Sequence, residues 1–203
     1  YRSDRMRQIS KVLTQEDNEK LEMDKLRLRY LTMTNYQKEF KNVNVLFDKE
    51  NIKNTLGEVL YHNSKKQLRI AETEKYPHVT FFMNGGVETP EKGEDRFMPP
   101  SPQVTTYNLQ PEMSETEVTN KFVTAISAGY DLIITNYANP DMVGHTGDLS
   151  AAITACEAVD KGLGRVIEAV KKSLQTLDED ITRERGIIID ANSNEKRLKE
   201  EKA

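Results

Sequence analysis

A chain of 203 residues can build one full domain, or one domain and part of another. It is 36% hydrophobic and 31% charged, with a net charge of −4; this argues against a general nucleic-acid binder and demands a local basic cluster for any anionic substrate. No apolar run approaches a membrane span, no secretory signal opens the chain, and Cys156 is the single cysteine, so no internal disulfide can form. A reducing, cytoplasmic setting is expected, with no nucleic-acid or membrane partner.

Residues 1–20 read as a helix with a basic opening. Residues 26–33 alternate in part and suit a strand. A short apolar run at 45–47 precedes a change of composition near Asp48. Residues 54–60 open like a helix capped by Asn54. Residues 67–71 read as a strand, and 78–83 lean to helix, entered by Pro77 and ended by Gly85 and Gly86. Residues 88–111 hold most of the prolines and suit an ordered loop with an embedded strand at 104–107. The run from Ser114 to Glu117 has the form of a capping box, ahead of a helix with Val118, Phe122, Ala125 and Ile126 on one face. The apolar run at 131–136 reads as a buried strand. A long helix follows from about 148 to 173, with Ile153, Cys156, Val159, Leu163, Val166, Ile167 and Val170 as one apolar stripe. Residues 186–190 suit a last buried strand.

Strand and helix alternate through the second half, which predicts an α/β fold with a mainly parallel sheet and helices on both faces. The predicted organisation is a partial domain at 1–47, a second domain at 48–190 and a charged tail at 191–203. The chain lacks an initial Met and ends in a polar run, as expected of a piece of a longer protein.

Asp141 and His145 follow the 131–136 strand, at the sheet end where open α/β folds place ligands. Four residues apart, they share one face of a helical turn. A carboxylate and an imidazole converging there can hold a divalent cation of the manganese or zinc type. Taken alone, the pair is more plainly read as a helix start with Asp141 near the cap and His145 in solvent. Arg2 and Arg5 share a helix face, and guanidinium groups form paired bonds to phosphate and carboxylate; a solvated basic helix is the plainer alternative. Lys75, read in isolation, is one of many surface lysines. His78 suits a structural role, His62 carries no signal, and Glu72 and Glu74 read as ionic partners of nearby Lys and Arg.

Several segments occur in an ordered series: Arg2 to Ile9, Asn54 to Glu58, Gln67 to Tyr76, His78 to Gly86, Gly93 to Arg96, Ser101-Pro102, Leu109 to Met113 and the Asp141/His145 loop. Together, from Arg2 to about Lys171, they resemble the cofactor-independent phosphoglycerate mutases, a branch of the alkaline phosphatase superfamily. The resemblance implies an alkaline phosphatase-like α/β domain, incomplete here, with the tail of an inserted phosphotransfer domain at its start. It implies that Arg2 and Arg5 bind the substrate, with Asp4 orienting them. It implies that Lys75 sits beside the transferring phosphoryl group. Asp141 and His145 then resemble two ligands of one manganese ion out of two. The implied reaction interconverts 3-phosphoglycerate and 2-phosphoglycerate in glycolysis through a phosphoserine, carried out by a monomer.

The chain departs from that pattern in places. The nucleophilic serine and one aspartate ligand that the resemblance implies are not among these residues. Where the family has Ala-Asp-His-Gly-Asn after an apolar strand, residues 187–194 stand here with Asn192-Ser193 in place of the Asp-His pair; Asp190 could ligate only in a shifted register, so at most one partial metal site is expected. Phosphomonoester cleavage needs up to ~10²¹-fold acceleration, and Arg and Lys contacts cannot replace a nucleophile and a second metal. The chain alone is therefore expected to be inactive. A truncated or degenerate relative acting as a binding protein is the alternative, and a phosphatase of the same superfamily is a weaker third.

Overall fold

The computed structural model describes residues 3–48 and 52–200. Arg2 lies outside the described residues. The chain forms two compact units, Tyr1–Ile52 and Lys53–Ala203.

In the first unit, helix α1 spans Ser3–Thr14, and strands β1 (Tyr30–Thr32) and β2 (Val43–Val45) pair in parallel. The expected strand at 26–33 shrinks to three residues. Leu26 instead gives its amide to the Leu13 carbonyl at 2.8 Å, so its stretch is tied to the end of α1 and not to a neighbouring strand. The Gln15 side chain holds Lys41 from both sides, donating to its carbonyl at 2.9 Å and accepting from its amide at 2.8 Å. The buried Ser10 hydroxyl meets the Tyr30 hydroxyl at 3.1 Å.

The second unit is built on a three-stranded parallel sheet. Strand β3 (Gln67–Ala71) lies between β4 (Glu94–Phe97) and β5 (Leu132–Asn136). Every residue of β3 is buried, as a central parallel strand covered on both faces requires. Alternation sends Leu68 and Ile70 to one face, where they pack with Val118 and Ala125 of helix α4 (Glu115–Ile126). Gln67 and Arg69 point to the other face. There Gln67 donates to the Gly57 carbonyl in helix α2 (Leu56–His62), and Arg69 reaches the Met83 sulfur. The predicted α/β class, with a parallel sheet and helices on both faces, is the observed one.

Strand β4 was not predicted, because its sequence is Glu-Asp-Arg-Phe and shows no apolar alternation. Polar pairing holds it. The register sets Gln67 against Glu94 and Arg69 against Arg96. Glu94 accepts from Arg96 Nε at 2.6 Å and from the Asn84 amide at 2.9 Å. Arg69 donates to Gln67 Oε1 through Nε at 3.1 Å and Nη2 at 2.6 Å. Burial pulls the Arg69 pKa below its ordinary value, with the charge of Glu94 acting in the opposite direction.

Other boundaries also shift. The cap of α2 is Thr55, not Asn54: Thr55 and Glu58 exchange bonds in a full capping box, while Asn54 takes a left-handed backbone at φ 58°. Ser114 forms no capping box, because its hydroxyl donates to the Pro100 carbonyl at 2.7 Å instead. Residues 104–107 form no strand; they lead into a single 3-10 turn at Tyr107–Leu109. The expected helix at 78–83 is a four-residue α3 (Tyr76–Val79) followed by turns.

Helix α5 (Asn139–Gly144) leads into α6 (Leu149–Glu200), 52 residues long. The strand expected at 186–190 is therefore helix, and the expected tail continues it through residue 200. A buried parallel strand needs a neighbour to accept its hydrogen bonds. Here Ile187, Ile188 and Ile189 are exposed, and intrahelical bonds satisfy the backbone. The apolar stripe of α6 is also not its inner face. Ala151 and Ala155 are buried, packing with Met113, Ala138 and Val143, and Ala158 is buried too, while Ile153, Leu163, Ile167 and Val170 are exposed. Among the described residues, no helix is long and apolar enough to cross a membrane.

Ile70 is fully buried in the main cluster. Ile70→Ala should lower the unfolding free energy by about 2–5 kcal/mol in urea titrations of the chain.

Candidate metal centre

The parallel register brings two loops to one edge of the sheet. Ala71 ends β3 opposite Asn136, which ends β5. Lys75 lies four residues beyond the first end, and Asp141 five beyond the second. Their side chains meet: Lys75 Nζ donates to Asp141 Oδ2. Lys75 is nearly buried, whereas the Asp141 side chain is 52% exposed.

The turn carrying Lys75 is fixed from beneath. The Lys75 amide donates to the Glu72 carbonyl at 2.9 Å. The Glu72 side chain is fully buried and accepts from Ser101 Oγ at 2.9 Å and the Ser114 amide at 3.4 Å. Ser101 in turn receives the Glu74 amide on its hydroxyl and gives its own amide to Thr73 Oγ1. Burial pushes the Glu72 carboxyl above its ordinary value, and the Ser101 and Ser114 bonds oppose that push. Glu74 accepts from the Tyr107 hydroxyl at 2.8 Å. The Tyr107 phenol is pushed up to about 12, first by burial and then by Glu74. Glu72 and Glu74 are thus partnered by hydroxyls and an amide, not by the Lys and Arg expected. A glutamate in a short polar stretch, Glu72-Thr-Glu-Lys75, carries no sequence signal that Glu72 is buried.

Asp141 sits in the first turn of α5, with Pro140 beside it at the helix start. Asn139 anchors that start, donating its amide to the carbonyls of Pro111 at 3.0 Å and Glu112 at 2.6 Å. His145 closes the turn, and its amide donates to the Asp141 carbonyl at 3.1 Å. His145 Nε2 lies 3.5 Å from Asp141 Oδ1. The two carboxylate oxygens are therefore divided, Oδ2 to the ammonium and Oδ1 toward the imidazole. Gly147 takes φ 76°, which lets the chain turn from α5 into α6. Gly144 is not pressed by any neighbouring atom, so no close backbone approach depends on it.

Lys75 holds the Asp141 carboxyl below the ordinary carboxylate range, against an opposing effect of burial and with weaker help from His145 and His78. Metal ligation needs an ionised carboxylate, and this pairing supplies one. Two ligands bound at about 2.1 Å with tetrahedral angles stand about 3.4 Å apart, close to the observed 3.5 Å between Oδ1 and Nε2. The pair therefore fits a divalent ion as two of its ligands. Among the described residues, no group of three or more His, Cys, Asp or Glu could complete a site. Asp190, considered as a shifted ligand, is on the exposed part of α6. Arg5 is exposed on α1 in the first unit. His78 stacks obliquely with Phe82, ring centres 5.3 Å apart.

A sequence profile described as the Metalloenzyme superfamily matches residues 5–177. The chain belongs to this superfamily. Residues 178–203, which include the strand expected at 186–190, lie beyond the match. Among curated relatives, the 2,3-bisphosphoglycerate-independent phosphoglycerate mutase of Ruegeria sp. (strain TM1040) is 73% identical over 125 residues, covering 62% of this chain and 25% of that protein. The protein of the same name from Agrobacterium fabrum is 56% identical over 174 residues, 85% of this chain and 34% of its own length. The chain thus spans a quarter to a third of these superfamily members. A crystal structure of Leishmania mexicana phosphoglycerate mutase at low cobalt concentration superposes with a TM-score of 0.64 at 32% identity, covering 82% of this chain and 31% of that one.

The depressed Asp141 carboxyl makes the ion pair stabilising above the ordinary carboxylate range; that contribution is lost as pH falls through the lowered value. Lys75→Met should return the Asp141 carboxyl toward its ordinary pKa in an NMR titration. Its stability deficit against the parent chain should be present at neutral pH and vanish in strong acid, as read from urea midpoints.

Proposed function

We propose that Asp141, His145 and Lys75 form part of the active site of a metal-dependent phosphoglycerate mutase, which interconverts 3-phosphoglycerate and 2-phosphoglycerate in cytoplasmic glycolysis. The contact of Lys75 with Asp141, one helical turn from His145, is the observation that carries this reading. The matching relatives and the superposing structure support it.

In this reading Asp141 and His145 hold one manganese ion. A divalent ion held there would polarise a phosphoryl oxygen and lower the pKa of a bound hydroxyl. Lys75 does two things: it keeps Asp141 ionised, and its ammonium, fixed by the Glu72 turn, offsets charge that develops on the transferring phosphoryl group. Arg2 and Arg5 grip the phosphate and carboxylate of the three-carbon substrate through paired bonds. The phosphoryl acceptor is a serine outside these 203 residues. A second reading, a non-catalytic relative that binds a partner, is favoured by one observation: residues 186–190 run as exposed helix and supply no further ligand.

Calorimetric titration with manganese tests the metal assignment. Weak binding is expected, with cobalt, named with the Leishmania enzyme, as a spectroscopic substitute. Asp141→Ala and His145→Ala should each weaken it by more than the about 10–100-fold typical of outer-sphere partners; binding indifferent to both removes the assignment. The chain alone should give no turnover of 3-phosphoglycerate with manganese, and measurable turnover would show that no outside serine is needed.

A further inference from the structure

Three residues, Glu72 to Glu74, lie between the end of β3 at Ala71 and Lys75, beyond the sheet ladder. Thr73 and Glu74 are exposed, so packing does not fix this stretch. The Glu72 carbonyl accepts the Lys75 and Tyr76 amides at 2.9 and 3.0 Å, which closes the turn on itself without tying it to the rest of the unit. Ser101 supplies that tie, because it touches all three residues. Its hydroxyl donates to Glu72 Oε2 at 2.9 Å and accepts the Glu74 amide at 3.4 Å, and its own amide donates to Thr73 Oγ1 at 3.2 Å. The one hydroxyl hydrogen goes to the carboxylate, and a lone pair is left for the amide. Ser101 is buried and is held independently of Lys75. Pro100 and Pro102 restrict the backbone on either side, and the Pro100 carbonyl accepts the Ser114 hydroxyl at 2.7 Å at the head of α4. Ser101 is thus a fixed point against which the turn is set.

We propose that Ser101 is a positioning residue for Lys75, which rests on the reading of Lys75 as the group that offsets charge on the transferring phosphoryl group. The Ser101 bonds go to Glu72, Thr73 and Glu74 and not to the Lys75 ammonium or to Asp141, so Ser101 acts through the turn. A lysine ammonium sits at the end of a flexible four-carbon stem. It serves as a fixed charge only where its backbone is held, and preorganised charge is what transition-state stabilisation requires. Without the hydroxyl, the buried Glu72 carboxylate keeps the more distant Ser114 amide at 3.4 Å, and the Glu74 amide loses its acceptor. The turn is then free to swing and to carry the Lys75 ammonium away from Asp141.

Competitive acetylation of lysines in the full chain, read by mass spectrometry, tests this without metal or substrate. In the parent chain the buried Lys75 should react more slowly than the exposed Lys92. Ser101→Ala should raise the Lys75 rate relative to Lys92 by about tenfold or more, as expected for a lost hydrogen bond to a carboxylate. Glu72→Gln removes the same bond from the other side, because its amide nitrogen then faces the Ser101 oxygen, and it carries the test if Ser101→Ala does not fold. The two changes together should add little to either alone. Leu68→Ala, in the core at the far end of β3, should lower stability and leave Lys75 slow, which separates positioning from general loosening. The NMR signal of the Asp141 carboxyl carbon at neutral pH should shift in Ser101→Ala in the direction it shifts in Lys75→Met, and the double variant should match Lys75→Met alone. Lys75 labelling that stays slow in both Ser101→Ala and Glu72→Gln, or that rises as much in Leu68→Ala, would overturn the proposal. A chain that binds no manganese yet shows these labelling changes would remove the metal assignment and leave the role of Ser101 in placing Lys75 intact.

Discussion

The ion pair between Lys75 and Asp141 is the constraint on which the candidate site depends. It ties the loop after β3 to the loop after β5 across the carboxyl edge of a parallel sheet. Parallel pairing makes this possible, because both strands end on the same side and deliver their following loops to one place. In an antiparallel pair the same residues would lie at opposite ends. The ammonium also sets the ionisation of the carboxylate, so one contact gives both position and charge. Removing Lys75 would leave His145 beside a carboxylate free to turn away.

Behind this pair stands a layer that the chemistry does not touch directly. Glu72 is fully buried and held by Ser101 and the Ser114 amide, so the turn leading to Lys75 is fastened to the loop before α4. Asn139 fastens the start of α5 to the same stretch through two carbonyls. Both loops are thus referred to residues 100–114, a segment rich in proline that contributes no strand. A buried carboxyl with a raised pKa would be unfavourable as a free charge; hydroxyl and amide donors offset that cost and make Glu72 an anchor.

Much of this was legible in the residues. Apolar runs marked β3 and β5, and the spacing of Asp141 and His145 put both on one turn. What pattern could not reveal was structure held by polar groups. Strand β4 is a charged sequence stabilised by Glu94, Arg96 and Asn84, which no hydrophobic period reports. Glu72 looks like its exposed neighbours until its partners are seen. The strand expected at 186–190 failed for the opposite reason. Three isoleucines predict burial, but burial in a sheet requires a neighbour, and here the segment continues a helix. The same distinction explains α6, whose large apolar side chains lie outward while small alanines make the tight inner contact.

The central claim is that Asp141 Oδ1 and His145 Nε2 share a divalent ion while Lys75 holds the other carboxylate oxygen. An anomalous difference map from a crystal of the chain soaked in manganese, collected at the manganese edge, tests it most directly. The account predicts a peak bonded to both atoms, with the Lys75 ammonium still against Oδ2. A map with no peak there, or a crystal structure in which Lys75 lies on the far side of the sheet from Asp141, would contradict it.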